Sequence, residues 1–114
     1  MCGGGIRAVD EVMPVLKSVK EYLVNRFGDG IKRVVVYGSF ARGEAGEGSD
    51  VDVVVVVVDD ELDPLDVEEY LSDFLFDVLL ERGELVSVFA VRETLFTKYN
   101  SPFLMNVREE GREV

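Results

Sequence analysis

Apolar residues at Val9, Val12, Met13, Leu16, Val19, Leu23 and Phe27 recur every three or four positions, which predicts one face of a helix. Pro14 lies inside that span and fits only in a first turn, so the helix is expected to begin at Asp10 or Glu11. Gly28-Asp29-Gly30 ends it. The period then changes. Ile31 to Tyr37 holds the β-branched run Val34-Val35-Val36 between glycines and predicts a short buried strand. Gly38 to Ser49 has no apolar period and is expected to be a loop. Asp50 to Val58 predicts a second strand, apolar on both faces apart from its two aspartates, as in a strand covered on each side.

Asp63-Pro64 opens the next helix, with Asp63 as cap and Pro64 at the first helical position. Val67, Tyr70, Leu71, Phe74, Leu75, Val78 and Leu79 form its expected core face, and Gly83 stops it. Leu85 to Val91 predicts a third strand, followed by a short polar helix around Glu93 to Tyr99. Ser101-Pro102 opens a last helix ending near Gly111. Two strands joined without an intervening helix favour antiparallel or mixed pairing. The order therefore predicts an α/β (α+β) architecture, a mixed sheet with helices packed on it. No GxGxxG follows the first strand, which excludes a doubly wound dinucleotide-binding fold.

The chain has 114 residues, room for one core, and is expected to form a single domain over 1–114 with 1–7 as a flexible lead. Asp and Glu number 23 against 12 Lys and Arg, a net charge of −11, which argues against stand-alone nucleic-acid binding. The absence of His removes imidazole bases and histidine metal ligands. Cys2 is the only cysteine, so no intrachain disulfide forms, and a reducing, cytoplasmic setting is the simple expectation. The longest apolar run, Val53 to Val58, is far short of the roughly 20 residues that span a bilayer, so no membrane role is expected.

The chemistry concentrates in Tyr37-Gly38-Ser39-Phe40-Ala41-Arg42-Gly43 and Gly48-Ser49-Asp50-Val51-Asp52. On a strand, Asp50 and Asp52 face the same way. Each alone reads as a turn acid or an edge charge. Together, at the head of an apolar strand, they repel and lose solvation, a conflict that a hard cation relieves; Mg²⁺ held by one or two carboxylates plus substrate phosphates is the common form. Gly38 lets backbone N–H groups approach an anion, the Ser39 hydroxyl adds a donor, and Arg42 is the only local cation. A phosphate cradle facing paired acids is the hardware of phosphoryl or nucleotidyl transfer. Asp59-Asp60-Glu61 reads as a solvated loop.

Gly38-Ser39, ten residues, then Asp50-Val51-Asp52 resembles the signature of the minimal nucleotidyltransferases of the DNA polymerase β superfamily. The flanks, and the ending Ser101-Pro102-Phe103, Asn106-Val107 and Glu110-Gly111, resemble archaeal and bacterial members. The resemblance implies a nucleotidyltransferase fold, with Gly38, Ser39, Arg42 and Ser49 toward the nucleotide and Asp50 and Asp52 as catalytic metal ligands. It implies ATP as donor with Mg²⁺, and transfer of AMP to a protein hydroxyl by an antitoxin paired with an all-helical HEPN toxin. A homodimer or hetero-oligomer is expected. Members usually add a third carboxylate on the next strand, and Ser87 stands at the corresponding position. Three alternatives follow: two aspartates suffice, Glu84 or Glu81 reaches in, or the protein is a catalytically weak or silent nucleotide-binding antitoxin acting by stoichiometric contact.

Overall fold

The structure, a computed structural model, describes residues 6–60 and 62–114. Cys2 and Glu61 lie outside them. A 3-10 turn at Val9–Glu11 precedes helix α1, Met13–Phe27, with Pro14 in its first turn where no N–H is needed. The helix therefore starts two or three residues later than its apolar spacing suggests, because Val9 is buried from the turn instead. Strand β1 is Ile31–Tyr37, helix α2 Ser39–Arg42, strand β2 Val51–Val57 and helix α3 Pro64–Arg82. Strand β3 is Val86–Arg92, helices α4 and α5 are Glu93–Lys98 and Pro102–Glu110, and a two-residue strand β4 is Arg112–Glu113.

The sheet is mixed, in the order β3-β2-β1-β4. β1 runs antiparallel to β2 and β4, and β2 runs parallel to β3 through the α3 crossover. β2 lies inside the sheet between β3 and β1, and its Val53 to Val57 are all buried. Alternation sorts its side chains. Val51, Val53, Val55 and Val57 join the core under α1 and α3, while Val54 and Val56 join a smaller core with Phe96 of α4 and Leu104 and Val107 of α5. Asp52 shares the parity of the second set. The sheet's covering layers therefore decide which face the acids present.

Local capping matches the sequence. Asp63 Oδ1 accepts the Leu65 N–H at 3.0 Å, Ser101 Oγ accepts that of Leu104 at 3.1 Å, and Gly83 ends α3 in the left-handed region at φ 70°. β3 is an edge, and the Glu68 carboxylate blunts it by accepting the Ala90 N–H at 2.8 Å. No helix of the described residues is long and apolar enough to cross a membrane.

Some expectations are corrected. Residues 38–49 are not all loop, because buried Phe40 and Ala41 anchor the helical turn α2. β2 starts at Val51, leaving Asp50 just outside the strand. Leu79 is exposed, while Val78 beside it takes the buried position of that turn. β4 carries no apolar signal: it is two charged, exposed residues held by main-chain pairing of Val35 with Glu113 and Val36 with Arg112. Arg7, assigned to a flexible lead, is docked: its N–H donates to Ala45 O at 2.7 Å and its guanidinium pairs with Glu84 and Glu11. Asp59 is a cap rather than a free loop acid, accepting the Thr94 N–H at 3.0 Å, and that bonding holds its carboxyl below the usual range.

Candidate active site

β1 delivers its last residue, Tyr37, opposite Asp52 of β2, and the chain must then turn at once. Gly38 makes that turn at φ 74°, ψ −149°, a backbone conformation open to glycine. A methyl group there would stand 2.6 Å from Asp52 Oδ2, so the bare backbone is pressed against the carboxylate. Ser39 begins α2, whose first N–H groups have no intrahelical acceptor. Arg42 N donates to Gly38 O at 3.1 Å, and Phe40, 1% exposed, pins the turn into the main core. Gly43 closes the turn in the left-handed region.

The return to β2 is braced by Ser49, whose Oγ accepts the Gly46 N–H at 2.9 Å. This bond shapes the loop and leaves the hydroxyl hydrogen free to donate outward. Asp50 is exposed and Asp52 half-buried. Burial first, and the nearby Asp50 charge second, raise the Asp52 pKa above the ordinary carboxylate value, against the opposing pull of Arg42. The Tyr37 phenol is raised by burial and by the Asp52 charge. Gly38, Ser39, Arg42, Ser49, Asp50 and Asp52 thus gather at one rim of the sheet, where β1 ends and β2 begins.

Arg42 does not stand free. Its Nε donates to Glu44 Oε1 at 3.0 Å and Nη1 lies 3.9 Å from Glu110 Oε1. Hydrogen bonding to Glu44 raises its pKa further, so it stays cationic. On the other flank, Ser87 of β3 is the register partner of Asp52 and is exposed. Adjacent partners project to one face, so Ser87 stands where a third acid would reach the same ion. Neither alternative acid is near. Glu84 is engaged by Arg7, with Arg7 Nη1 donating to its Oε1 at 3.1 Å, and Glu81 borders a hollow with Val15 and Ser18 between α1 and α3. Among the described residues, no group of three His, Cys, Asp or Glu side chains could hold a metal. The donor set still fits Mg²⁺ in its usual protein form, with two carboxylates supplying part of the shell and phosphates and water the rest.

The C-terminal segment also reaches the rim. Phe103, Asn106 and Glu110 of α5 share a cavity with Tyr37, Gly38 and Arg42. The ending Ser101 to Gly111 had marked these residues as part of a family resemblance, but no sequence period says that α5 folds back beside β1. Burial of Leu104 and Val107 against Val35, Val54 and Val56 seats α5 there, and the pairing of β4 with β1 follows it.

A Gly-Ser turn abutting two acids on a mixed, helix-flanked sheet defines the nucleotidyltransferase fold. The chain belongs to the nucleotidyltransferase domain family, whose model matches residues 16–111, and it is a nucleotidyltransferase by that membership. It is 35% identical over 101 residues to the Methanocaldococcus jannaschii protein named "Putative protein adenylyltransferase MJ0604", covering 84% of this chain and 93% of that one. It is 38% identical over 69 residues to "Protein adenylyltransferase MntA" of Thermococcus cleftensis, covering 59% and 68%. Two solved structures share the fold. A nucleotidyltransferase structure from Sulfolobus solfataricus, titled "putative", has a TM-score of 0.64 at 21% identity over 92% of this chain and 80% of that one. A structure titled "toxin-antitoxin with AMP-PNP" has a TM-score of 0.56 at 15% identity over 85% and 70%.

Proposed function

We propose that the protein transfers AMP from ATP, in the presence of Mg²⁺, to a hydroxyl of a partner protein, as the antitoxin of a pair whose toxin is a helical HEPN-type protein. The observation that carries this reading is the contact of the Gly38 backbone with the Asp52 carboxylate, which sets the start of α2 beside Asp50 and Asp52. The relatives named as protein adenylyltransferases support it. So does the fold shared with a structure described as a toxin-antitoxin with AMP-PNP. ATP as donor and the single cysteine accord with a cytoplasmic setting.

In this reading the Ser39 hydroxyl and the first N–H groups of α2 receive the terminal phosphates, and Arg42 exchanges Glu44 for phosphate oxygen. Ser49 donates its hydroxyl hydrogen to the nucleotide. Mg²⁺, when bound by Asp50 and Asp52, neutralises charge on the phosphates. The acceptor oxygen bonds to the α-phosphorus, the bond from that phosphorus to the bridging oxygen breaks, pyrophosphate leaves, and the hydroxyl proton passes to solvent. The test incubates the protein with ATP labelled at the α-phosphate, Mg²⁺ and the product of the neighbouring gene. Label is expected on the partner with the wild type and not with the Asp50→Asn/Asp52→Asn variant. No label with the wild type overturns the enzymatic reading.

One observation favours a second reading, stoichiometric neutralisation without transfer: Ser87, not an acid, faces Asp52, and Glu84 is held by Arg7. The same double variant separates the two. Under the second reading it still co-purifies with the toxin and still protects cells; under the first, protection is lost while the variant remains folded. A homodimer or a hetero-oligomer with the helical toxin is the assembly this function requires.

A further inference from the structure

We propose that the cavity between the end of β1 and α5 receives the adenine base of the donor nucleotide, with Phe103 as stacking surface and Asn106 as the reader of the base edge. This rests on the reading of Gly38, Ser39, Asp50 and Asp52 as the triphosphate and metal site, and it adds the residues that select the nucleotide.

The cavity, about 190 Å³, is lined by Tyr37, Gly38, Arg42, Phe103, Asn106 and Glu110. It shares Gly38 and Arg42 with the phosphate turn, so one molecule can occupy both. Its volume is below the roughly 300–1,000 Å³ of pockets for drug-sized ligands, which suits a single ring system with the rest of the ligand outside. The larger hollow beside Asp59, Arg92 and Lys98, about 700 Å³, cannot serve. It lies at the far end of β2, roughly 20 Å of strand from Asp52.

Phe103 is 40% exposed although apolar. Tyr37 meets its ring at 5.3 Å and 85°, and Phe89 at 5.7 Å and 84°. Two edge contacts fix the ring before any ligand arrives, so stacking on it costs little ordering entropy. Asn106 follows three residues later on the same helix face and is exposed. A carboxamide offers one acceptor and one donor, which match the N6 amino group and N7 of adenine together. Guanine presents two acceptors, O6 and N7, on that edge and satisfies only the donor. The Glu110 carboxylate on the same wall disfavours a carbonyl further.

The test is calorimetric titration of the full chain with ATP, GTP and inorganic tripolyphosphate, each with Mg²⁺. Wild type is expected to bind ATP more tightly than GTP or tripolyphosphate. Phe103→Leu, which keeps an apolar side chain on α5, weakens ATP about tenfold and leaves tripolyphosphate unchanged. Asn106→Leu brings ATP and GTP to equal affinity. Circular dichroism confirms that both variants fold. If wild type binds ATP no better than tripolyphosphate, or the variants leave ATP affinity unchanged, the base lies elsewhere while the triphosphate site stands. If folded wild type binds none of the three, the triphosphate reading itself fails and this inference with it.

Discussion

Replacing Gly38 by Ala tests the central contact of the site. Two costs are separable. The backbone at φ 74°, ψ −149° lies in a region closed to other residues, and forcing an L-residue into it costs about 1–3 kcal/mol of stability. The new methyl also lands 2.6 Å from Asp52 Oδ2, with Asp52 Cγ at 3.4 Å and Cβ at 3.5 Å in ordinary contact. Only the carboxylate tip must move, so the second cost falls on function, not on folding. Losing one oriented, charged ligand forfeits about 1.5–3 kcal/mol of binding, or ten- to a hundredfold in Mg-ATP affinity. Gly43→Ala supplies the control. At φ 73°, ψ 25° with nothing within 4 Å of the added carbon, it carries only a left-handed backbone cost of about 1–2 kcal/mol. The two variants should thus lie within about 2 kcal/mol of each other in stability by urea unfolding, while calorimetry separates them sharply in Mg-ATP binding. Equal nucleotide affinity in the two variants would refute the argument that Gly38 is needed to leave room for Asp52.

Glu84→Gln should lower stability by about 1–2 kcal/mol, measured by urea unfolding, because it removes the charge that Arg7 engages in a half-buried pair. Mg²⁺-dependent ATP binding should not change, and a loss there would mark Glu84 as the missing third acid. Asp52→Asn should raise the melting temperature at pH 7. The folded Asp52 pKa lies above its unfolded value, so the folded state holds the proton more tightly, and stability falls as pH rises through the ordinary carboxylate range. The difference between variant and wild type should vanish below about pH 3, beneath the unfolded value of roughly 3.9. A variant less stable than wild type at pH 7 would contradict the argument that burial and Asp50 strain this carboxylate.

Much of this architecture is legible because its signals are local. A β-branched run between glycines makes β1, and Asp63-Pro64 and Ser101-Pro102 fix two helix starts, since cap and proline act within a single turn. The spacing from Gly38-Ser39 to Asp50 and Asp52 is likewise carried by consecutive elements, which bring Gly38 against Asp52. What stays hidden is non-local or main-chain. Arg112–Glu113 has no apolar pattern because β4 is selected by β1's free edge, and the docking of Arg7 needs Glu84, 77 residues away. The approach of Asn106 and Glu110 to Arg42 is set by the packing of Leu104 and Val107 on the sheet, a non-local contact that no periodicity reports.

The same topology gives the rim two unlike flanks. On the β1 side, α5 and β4 close over Tyr37, and Glu110 comes within 3.9 Å of Arg42. On the β3 side no strand follows among the described residues, and Ser87 beside Asp52 is exposed, as is nearly half of Phe89. A nucleotide seated against the closed flank leaves the β3 flank as the open approach to Asp52. Under the proposed function, that open flank is the side from which the acceptor hydroxyl approaches. A serine at position 87 denies the site a third charge and adds no repulsion to the one Asp50 already imposes on Asp52. Arg42 opposes part of the repulsion between the two acids. In the proposed reaction, Ser87 leaves Asp50 and Asp52 as the carboxylates of the rim, with Ser87 exposed beside Asp52.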